Sequence, residues 1–306
     1  MLTCDSYQVP QSLAEALGIW ASAESGSRLI AGATDILPWA RDGRAGDVHL
    51  PMLVDVTRIP ELDGYAFEND RIRLGANTVY QDFLTDVTLM RNLPCMPHCA
   101  IWFADDQIRE QASLAGNLVN ASPVADGTPA IVTLNGEIEL ARLVDGNVVR
   151  RRVPIFDFIE GPGRTQIAQD EIATAVIVDS LPGYGGSFQK VGQRRSLVIS
   201  VACCAALVKT DKSGKIFEDV RIALGGVGPR PIRLSDAESA LQGQRVSHGL
   251  IEQVAEMAAD AVGSRSRKEY RREVVVNFVR AAVEDALADQ PDITAQFEDE
   301  KEKAHV

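Results

Sequence analysis

Two glycine-containing segments hold the residues best equipped for chemistry. The first runs Leu29-Ile30-Ala31-Gly32-Ala33-Thr34-Asp35-Ile36, and the second, Ser113-Leu114-Ala115-Gly116-Asn117, continues through Asn120 to Asp126. Neither contains a lysine or an arginine. Both combine small residues, which leave backbone N–H groups accessible, with hydroxyl or amide side chains. That equipment holds a diphosphate by main-chain hydrogen bonds rather than by counter-charge. Each segment alone also has a plainer reading. The first is equally a strand end followed by a helix capped by Thr34 or Asp35, and the second an ordinary turn into a capped helix.

Other routes to chemistry are poorly supplied. Gly226-Val227-Gly228 and Gly161-Pro162-Gly163 lack the third glycine of a dinucleotide fingerprint, and no Gly-Lys-Ser/Thr ends a phosphate loop. The five cysteines, Cys4, Cys95, Cys99, Cys203 and Cys204, include no Cys-x-x-Cys pair and no iron–sulfur or zinc spacing. Cys95-Met96-Pro97-His98-Cys99 is the one cluster to weigh. It lacks a fourth nearby ligand, so buried thiols and a surface histidine are the expectation. No nucleophile triad or proton-abstracting pair stands out, so no catalytic residue is assigned.

The chain has 306 residues, enough for more than one domain, with 45% hydrophobic and 24% charged residues. Its formal charge of −12 argues against nucleic acid or anionic lipid as partners. No apolar run has the length of a membrane helix, so no membrane insertion is expected. Met1-Leu2-Thr3-Cys4-Asp5 lacks the basic and apolar regions of a signal peptide, so the expected location is cytoplasmic.

The elements that must position the two segments follow from periodicity. Leu13, Ala16, Leu17 and Trp20 predict a first helix after Pro10, and Arg28 to Ala31 a buried strand entering the first segment. Met52 to Val56 and Arg71 to Leu74 predict further strands, 79–90 and 97–109 helices, and Ala125 to Asn135 another helix. Asp145-Gly146 predicts a hairpin between Glu137–Leu140 and Val148–Arg150. From Ser187 the pattern changes to strands at Val198–Val208 and Val220–Leu224, joined by a turn at Asp211-Lys212-Ser213-Gly214. Helices follow, one opened by the capping box Ser235-Asp236-Ala237-Glu238 with Ser235 as N-cap, and a long one over 267–288. These shifts place domains at 1–180 and 181–288, with an acidic tail, 289–306, expected to be mobile.

Taken in order, many short stretches carry a family resemblance. Ala31-Gly32-Ala33-Thr34-Asp35-Ile36 resembles an Ala-Gly-Gly-Thr-Asp-Leu loop, and Val54-Asp55-Val56-Thr57-Arg58-Ile59-Pro60-Glu61-Leu62 the strand and turn after it. Gly75-Ala76-Asn77-Thr78-Val79-Tyr80 resembles a Gly-Ala-x-Thr stretch, and Ser113-Leu114-Ala115-Gly116-Asn117, after Ile108-Arg109, resembles Thr-Ile-Gly-Gly-Asn. Ala121-Ser122-Pro123, Asp126, Phe188-Gln189-Lys190, Arg194-Arg195, Ala223 to Val227 and Tyr270-Arg271-Arg272 complete the series. The series resembles the FAD-binding (medium) subunit of the molybdenum hydroxylases, the xanthine dehydrogenase and carbon monoxide dehydrogenase family. Ala33 and Ala115 depart from it, standing where the family usually has glycine, and an alanine disfavours positive φ.

The resemblance implies an α+β fold. A two-subdomain FAD-binding domain of the vanillyl-alcohol-oxidase (PCMH) type is followed by an α+β domain with a small antiparallel sheet and helices. It implies non-covalent FAD, with Leu29, Ile30, Ala31, Gly32, Ala33, Thr34, Asp35 and Ile36 around the diphosphate. Ser113, Ala115, Gly116, Asn117 and Asn120 would meet the diphosphate and ribityl chain, and Asp126 a polar group of the nucleotide. Phe103 would pack on the flavin, with a core aromatic as the alternative. Ile172, beside Glu171, would touch the adenine through its backbone. Lys190 would sit at the pyrimidine edge, with a solvated surface lysine as the alternative. The implied function is electron transfer from [2Fe–2S] clusters of a small subunit, through FAD, to a final acceptor. A molybdopterin large subunit would hydroxylate an aldehyde, purine or other N-heteroaromatic, in a heterotrimer often doubled to a dimer. The alternatives are a free-standing vanillyl-alcohol-type FAD oxidoreductase and an assembly subunit that has lost its flavin.

Overall fold

The computed structural model describes residues 2–41, 48–194, 197–263 and 266–291. The expected mobile tail, 289–306, lies outside these residues from position 292 onward. The fold is α+β, and the chain forms two compact units: residues 1–82, 104–122 and 135–179 make the first, and 83–103, 123–134 and 180–306 the second.

Besides the small ribbon of Ile159–Gly161 and Arg164–Thr165, the first unit has two larger sheets among the described residues. Strands Leu2–Gln8, Arg28–Ile30 and Val48–Asp55 form a parallel sheet with Val48–Asp55 in the middle. Parallel strands of one sheet need a crossover, and helix Leu13–Ala21 supplies the one between the two outer strands, Leu2–Gln8 and Arg28–Ile30. Its N-cap Ser12 accepts the Glu15 amide, and Leu13, Ala16 and Leu17 are buried, as their spacing predicts. The second sheet is antiparallel, ordered Tyr65–Glu68, Arg71–Gly75, Ile172–Asp179, Glu137–Val144, Asn147–Pro154. Asp145 (φ 50°) and Gly146 (φ 77°) make its tight hairpin. Leu2–Gln8 was not read from the sequence: its exposed positions Thr3, Asp5 and Tyr7 alternate with half-buried ones of which Ser6 and Gln8 are polar, so the apolar alternation is too short to register as a strand.

The second unit is built on four antiparallel strands, Gly185–Gly192, Ser200–Thr210, Phe217–Gly225 and Ile232–Arg233. Helices Ser235–Leu241, His248–Glu256 and Lys268–Ala288 bury Leu241, Ile251, Val254, Val275, Val279 and Val283 against apolar residues of those strands, among them Val208, Ile222 and Leu224. The capping box is not realised. Leu234 stands at the N-cap and Ser235 is already helical. The Glu238 carboxylate is drawn instead to the Ile222 amide, 2.7 Å away, and to Arg233. The helices expected over 79–90 and 97–109 are broken into Asp82–Thr85, Val87–Asn92, Cys95–Trp102 and Asp106–Arg109. Asp86 and Asp105 cap the second and fourth, and each new cap interrupts the helix before it. Cys95 and Cys99 are buried while His98 is partly exposed beside Asp289. Among the described residues, no group of three His, Cys, Asp or Glu could hold a metal, and no helix is long and apolar enough to cross a membrane.

Candidate functional site

The first glycine segment begins where a short parallel strand runs out. Leu29 pairs with Val54, and Val56 N donates to Ile30 O at 2.9 Å, pinning the exit. The chain then turns through Ala31 to Asp35 into the short helix Ile36–Arg41. Ala33 takes φ 54°, the left-handed region in which a Cβ is strained. Neither Thr34 nor Asp35 caps the helix by a side-chain bond among the described residues. The amides of Gly32, Ala33, Thr34, Asp35 and Ile36 likewise reach no protein acceptor there. Successive unclaimed N–H groups at such a turn form a concave donor set for an anion.

The second segment, 84 residues later in sequence, lies against the first. A Cβ on Gly32 would stand 1.8 Å from the Gln111 carbonyl oxygen, so only glycine permits this backbone approach. Asn120 Nδ2 donates to Asp35 Oδ2 at 2.9 Å, a second tie between the segments. Crowding by the surrounding protein holds the Asp35 carboxyl above its usual range. Gln111 has no sequence signal, since its backbone and not its side chain makes the contact.

The segment Thr78 to Tyr80 braces the second loop. Leu114 N donates to Thr78 O at 2.9 Å, and Tyr80 N to Ala112 O at 3.1 Å. The brace is itself fixed by a close approach, because a Cβ on Gly75 would meet the Leu62 carbonyl oxygen at 2.2 Å. Ser113 then opens helix Leu114–Asn120 as a regular N-cap, its Oγ accepting the Gly116 amide at 3.2 Å. Ala115 has ordinary helical geometry and is buried, so its methyl group is accommodated. The buried Tyr80 hydroxyl donates to Asn117 Oδ1 at 2.9 Å. This sets the amide so that Nδ2, which meets no acceptor among the described residues, is left as donor. Tyr80 closes the Gly75 to Tyr80 stretch that carries part of the resemblance, but sequence reasoning did not assign it to the site. Ile172 opens strand Ile172–Asp179 opposite Ala141, and neighbouring Glu171 is gripped by Arg151 at 2.6 and 2.7 Å.

Three other sequence-assigned residues belong to the second unit. Phe103 is half-buried at the end of helix Cys95–Trp102. Lys190, on strand Gly185–Gly192, is not a solvated surface lysine, because its side chain is only 1% exposed. Its Nζ donates to Asp126 Oδ2 at 2.6 Å and to the Trp102 carbonyl at 3.0 Å. Ser200 Oγ donates to Asp126 Oδ1 at 2.5 Å. Burial raises the Asp126 carboxyl above its usual range, against the opposing pull of Lys190 and Ser200.

The first unit therefore offers unclaimed main-chain donors, a glycine-only backbone contact and a set Asn117 amide. That combination suits the diphosphate of FAD, which needs several neutral donors at short range. Neither segment contains a cysteine or histidine to bond a flavin covalently.

Comparison with known proteins identifies two family domains in sequence order. Residues 3–180 match the FAD-binding domain in molybdopterin dehydrogenase, and residues 187–286 the CO dehydrogenase flavoprotein C-terminal domain. The carbon monoxide dehydrogenase medium chain of Hydrogenophaga pseudoflava is 28% identical, the match covering 92% of this chain and 96% of that one. The xanthine dehydrogenase FAD-binding subunit of Escherichia coli O157:H7 is 28% identical, over 92% of this chain and 96% of its own. A solved carbon monoxide dehydrogenase from Hydrogenophaga pseudoflava, lacking the Mo-pyranopterin moiety of its molybdenum cofactor, superposes with a TM-score of 0.84 at 25% identity. That match covers 94% of this chain and 98% of the other.

Proposed function

Because the chain belongs to the family of FAD-binding domains of molybdopterin dehydrogenases, we propose that it is the electron-exit subunit of a molybdenum hydroxylase. The observation that carries the binding part is the close approach of Gly32 to Gln111, just before the second segment, with the amides of Gly32 to Ile36 unclaimed among the described residues. Bound FAD supplies exchange between one-electron and two-electron partners, chemistry no side chain here can perform. The chain's own residues bind and orient. Amides of the first segment take the diphosphate, Thr34 adds its hydroxyl, and Asn117 Nδ2 donates from a direction fixed by Tyr80. Asn120 holds Asp35 and so the shape of the first segment. Ile172 offers backbone to the adenine. Lys190 brings positive charge to the pyrimidine edge, where it favours the electron-rich reduced ring.

The relatives named above are a medium chain and a FAD-binding subunit. By the same likeness, the partners of this chain are a small subunit with [2Fe–2S] clusters and a molybdopterin large subunit, the trimer being doubled. The substrate, a small aldehyde or N-heteroaromatic compound, is hydroxylated on the large subunit, and the electrons leave through this chain. Reconstitution tests the proposal. The chain alone, the two partners alone, and all three together are mixed with substrate and with NAD⁺ or a dye as acceptor. Acceptor reduction is expected to need this chain together with its partners. Substrate turnover by the chain unaided would contradict the electron-exit role.

A further inference from the structure

The two glycine segments have separate supports, and one side chain joins those supports. Val56, directly after strand Val48–Asp55, pins the exit of the first segment by donating to Ile30 O, and Thr78 O receives the Leu114 amide of the second. The Asn77 amide stands between them. Its Nδ2 donates to Val56 O at 3.2 Å and to Asp63 Oδ1 at 2.9 Å. Its backbone N donates at 2.9 Å to Leu62 O, the carbonyl that would block a Cβ on Gly75. A continuous path, Ile30 to Val56 to Asn77, then Thr78 to Leu114, therefore runs from one segment to the other within the first unit. Every step between separate stretches of chain is a hydrogen bond. Asn77 also fills the unspecified place in the Gly-Ala-x-Thr stretch, so the resemblance assigns it nothing.

We propose that Asn77 is a positioning residue, whose side-chain amide locks the support of the first segment to that of the second and so sets the spacing of the segments that hold FAD. The inference rests on the reading of those segments as the FAD site. The chemistry of the side chain suits the role. Both protons of Nδ2 are spent, on acceptors from two different stretches of chain, and a short side-chain amide is the neutral group with two protons to give from one atom. Among the described residues the Val56 carbonyl otherwise receives only the Ile59 amide, at 3.3 Å, so Asn77 is what ties it to the brace. Asn77 Oδ1 is shielded from solvent and meets no donor among the described residues. A shielded acceptor without a donor costs stability, so the contribution of this residue lies in what its nitrogen holds together.

The test uses the full chain and compares Asn77→Ala, which removes the amide, with Asn77→Asp, which keeps its shape but has no proton to give at neutral pH. FAD affinity is read by fluorescence titration, and hydrogen exchange at single amides by NMR of the flavin-free chain. Asn77→Ala is expected to weaken FAD about tenfold. It should also speed exchange at both the Val56 and the Leu114 amides, while the amides of strand Glu137–Val144 keep their rates. Asn77→Asp should do at least as much, because its carboxylate would face the Val56 carbonyl and the Asp63 carboxylate. If the side chain merely fills space, Asn77→Asp would match the parent in both readouts, and the proposal would be overturned. Asp63→Ala cuts one of the two bonds at an exposed position. It should give a smaller change of the same sign, and none on top of Asn77→Ala, which keeps the proposal testable if neither substitution at Asn77 folds. Faster exchange at only one of the two amides, or unchanged FAD affinity in Asn77→Ala, would overturn the proposal and leave the FAD reading standing. A parent chain that takes up no FAD would sink that reading and the flavin half of the proposal with it, while the exchange rates still decide whether Asn77 joins the two supports.

Discussion

The two glycine segments look interchangeable in sequence, each a small-residue run with a glycine and a polar residue after it. In the structure they differ in kind. The second is an ordinary capped helix start: Ser113 satisfies the Gly116 amide, Asn117 is tied to Tyr80, and the backbone stays in common conformations up to Ala121 at φ 48°. Among the described residues the first has no side-chain cap, carries Ala33 at φ 54°, and keeps the amides of Gly32 to Ile36 unspent. A segment that leaves its donors unmatched and tolerates strain is shaped for something outside the chain. Apart from the Asn117 amide, the second segment serves as its platform. Under the proposed function the same residue types do two jobs, ligand donor and scaffold, and local hydrogen-bond accounting separates them where composition cannot.

Substitutions that treat the segments alike should give unlike results. The largest effect is expected at Gly32→Ala, where the added methyl would strike the Gln111 carbonyl, a backbone atom that cannot step aside. It should abolish FAD retention and cost more than the ~1–3 kcal/mol of an ordinary overpacked site. Gly116→Ala meets only the Ser113 hydroxyl and should keep flavin, with at most a weakened cap. Equal flavin loss in both would erase the distinction between donor and scaffold. Fluorescence titration of FAD into the folded variants, with thermal unfolding alongside, reads both quantities.

Next in size, Thr34→Ala and Asn117→Ala should each weaken FAD about tenfold or more, the worth of a hydrogen bond to a charged or buried group. They should differ in stability. Thr34 makes no side-chain bond to the described residues, whereas Asn117→Ala deprives the buried Tyr80 hydroxyl of an acceptor and should cost ~1–3 kcal/mol. Ser113→Ala should cost about 1 kcal/mol of stability through the lost cap, with a smaller effect on flavin. Denaturant titration of the flavin-free proteins separates these cases.

The smallest effects make the sharpest contrast, because one substitution should change sign between segments. Ala33→Gly relieves a left-handed alanine and should stabilise by up to ~1 kcal/mol. Ala115→Gly puts glycine inside a helix and removes a buried methyl, and should destabilise by about 1 kcal/mol. The two departures from the usual glycines are therefore unequal: strain is present at Ala33 and absent at Ala115. Two changes of the same sign would show that the strain at Ala33 has been misjudged.

Much of the scaffold was legible in sequence where pattern and packing agree. The helix at Leu13, the Asp145-Gly146 hairpin and the long helix after Arg267 each rest on strong local signals that the core rewards. The short helices between Asp82 and Arg109 were not, because Asp86 and Asp105 restart the helix every few residues while the apolar spacing runs on. Ser235 failed as a cap for a tertiary reason, since Glu238 serves a neighbouring strand and Arg233. At the site, the glycine segments could be named but not told apart. Their meeting depends on the Gln111 carbonyl, which every residue type possesses. The Asp126–Lys190–Ser200 cluster joins positions up to 74 residues apart, and no local pattern announces it.

The central claim is that the donors left unspent by the first segment hold one FAD without a covalent bond. Its most direct test is to purify the chain, record its absorption, denature it and measure the flavin in the supernatant after the polypeptide is removed. One equivalent of free FAD per chain is the predicted result, falling to none in Gly32→Ala and persisting in Gly116→Ala. A colourless chain that takes up no added FAD, or flavin that stays on the denatured polypeptide, would contradict it.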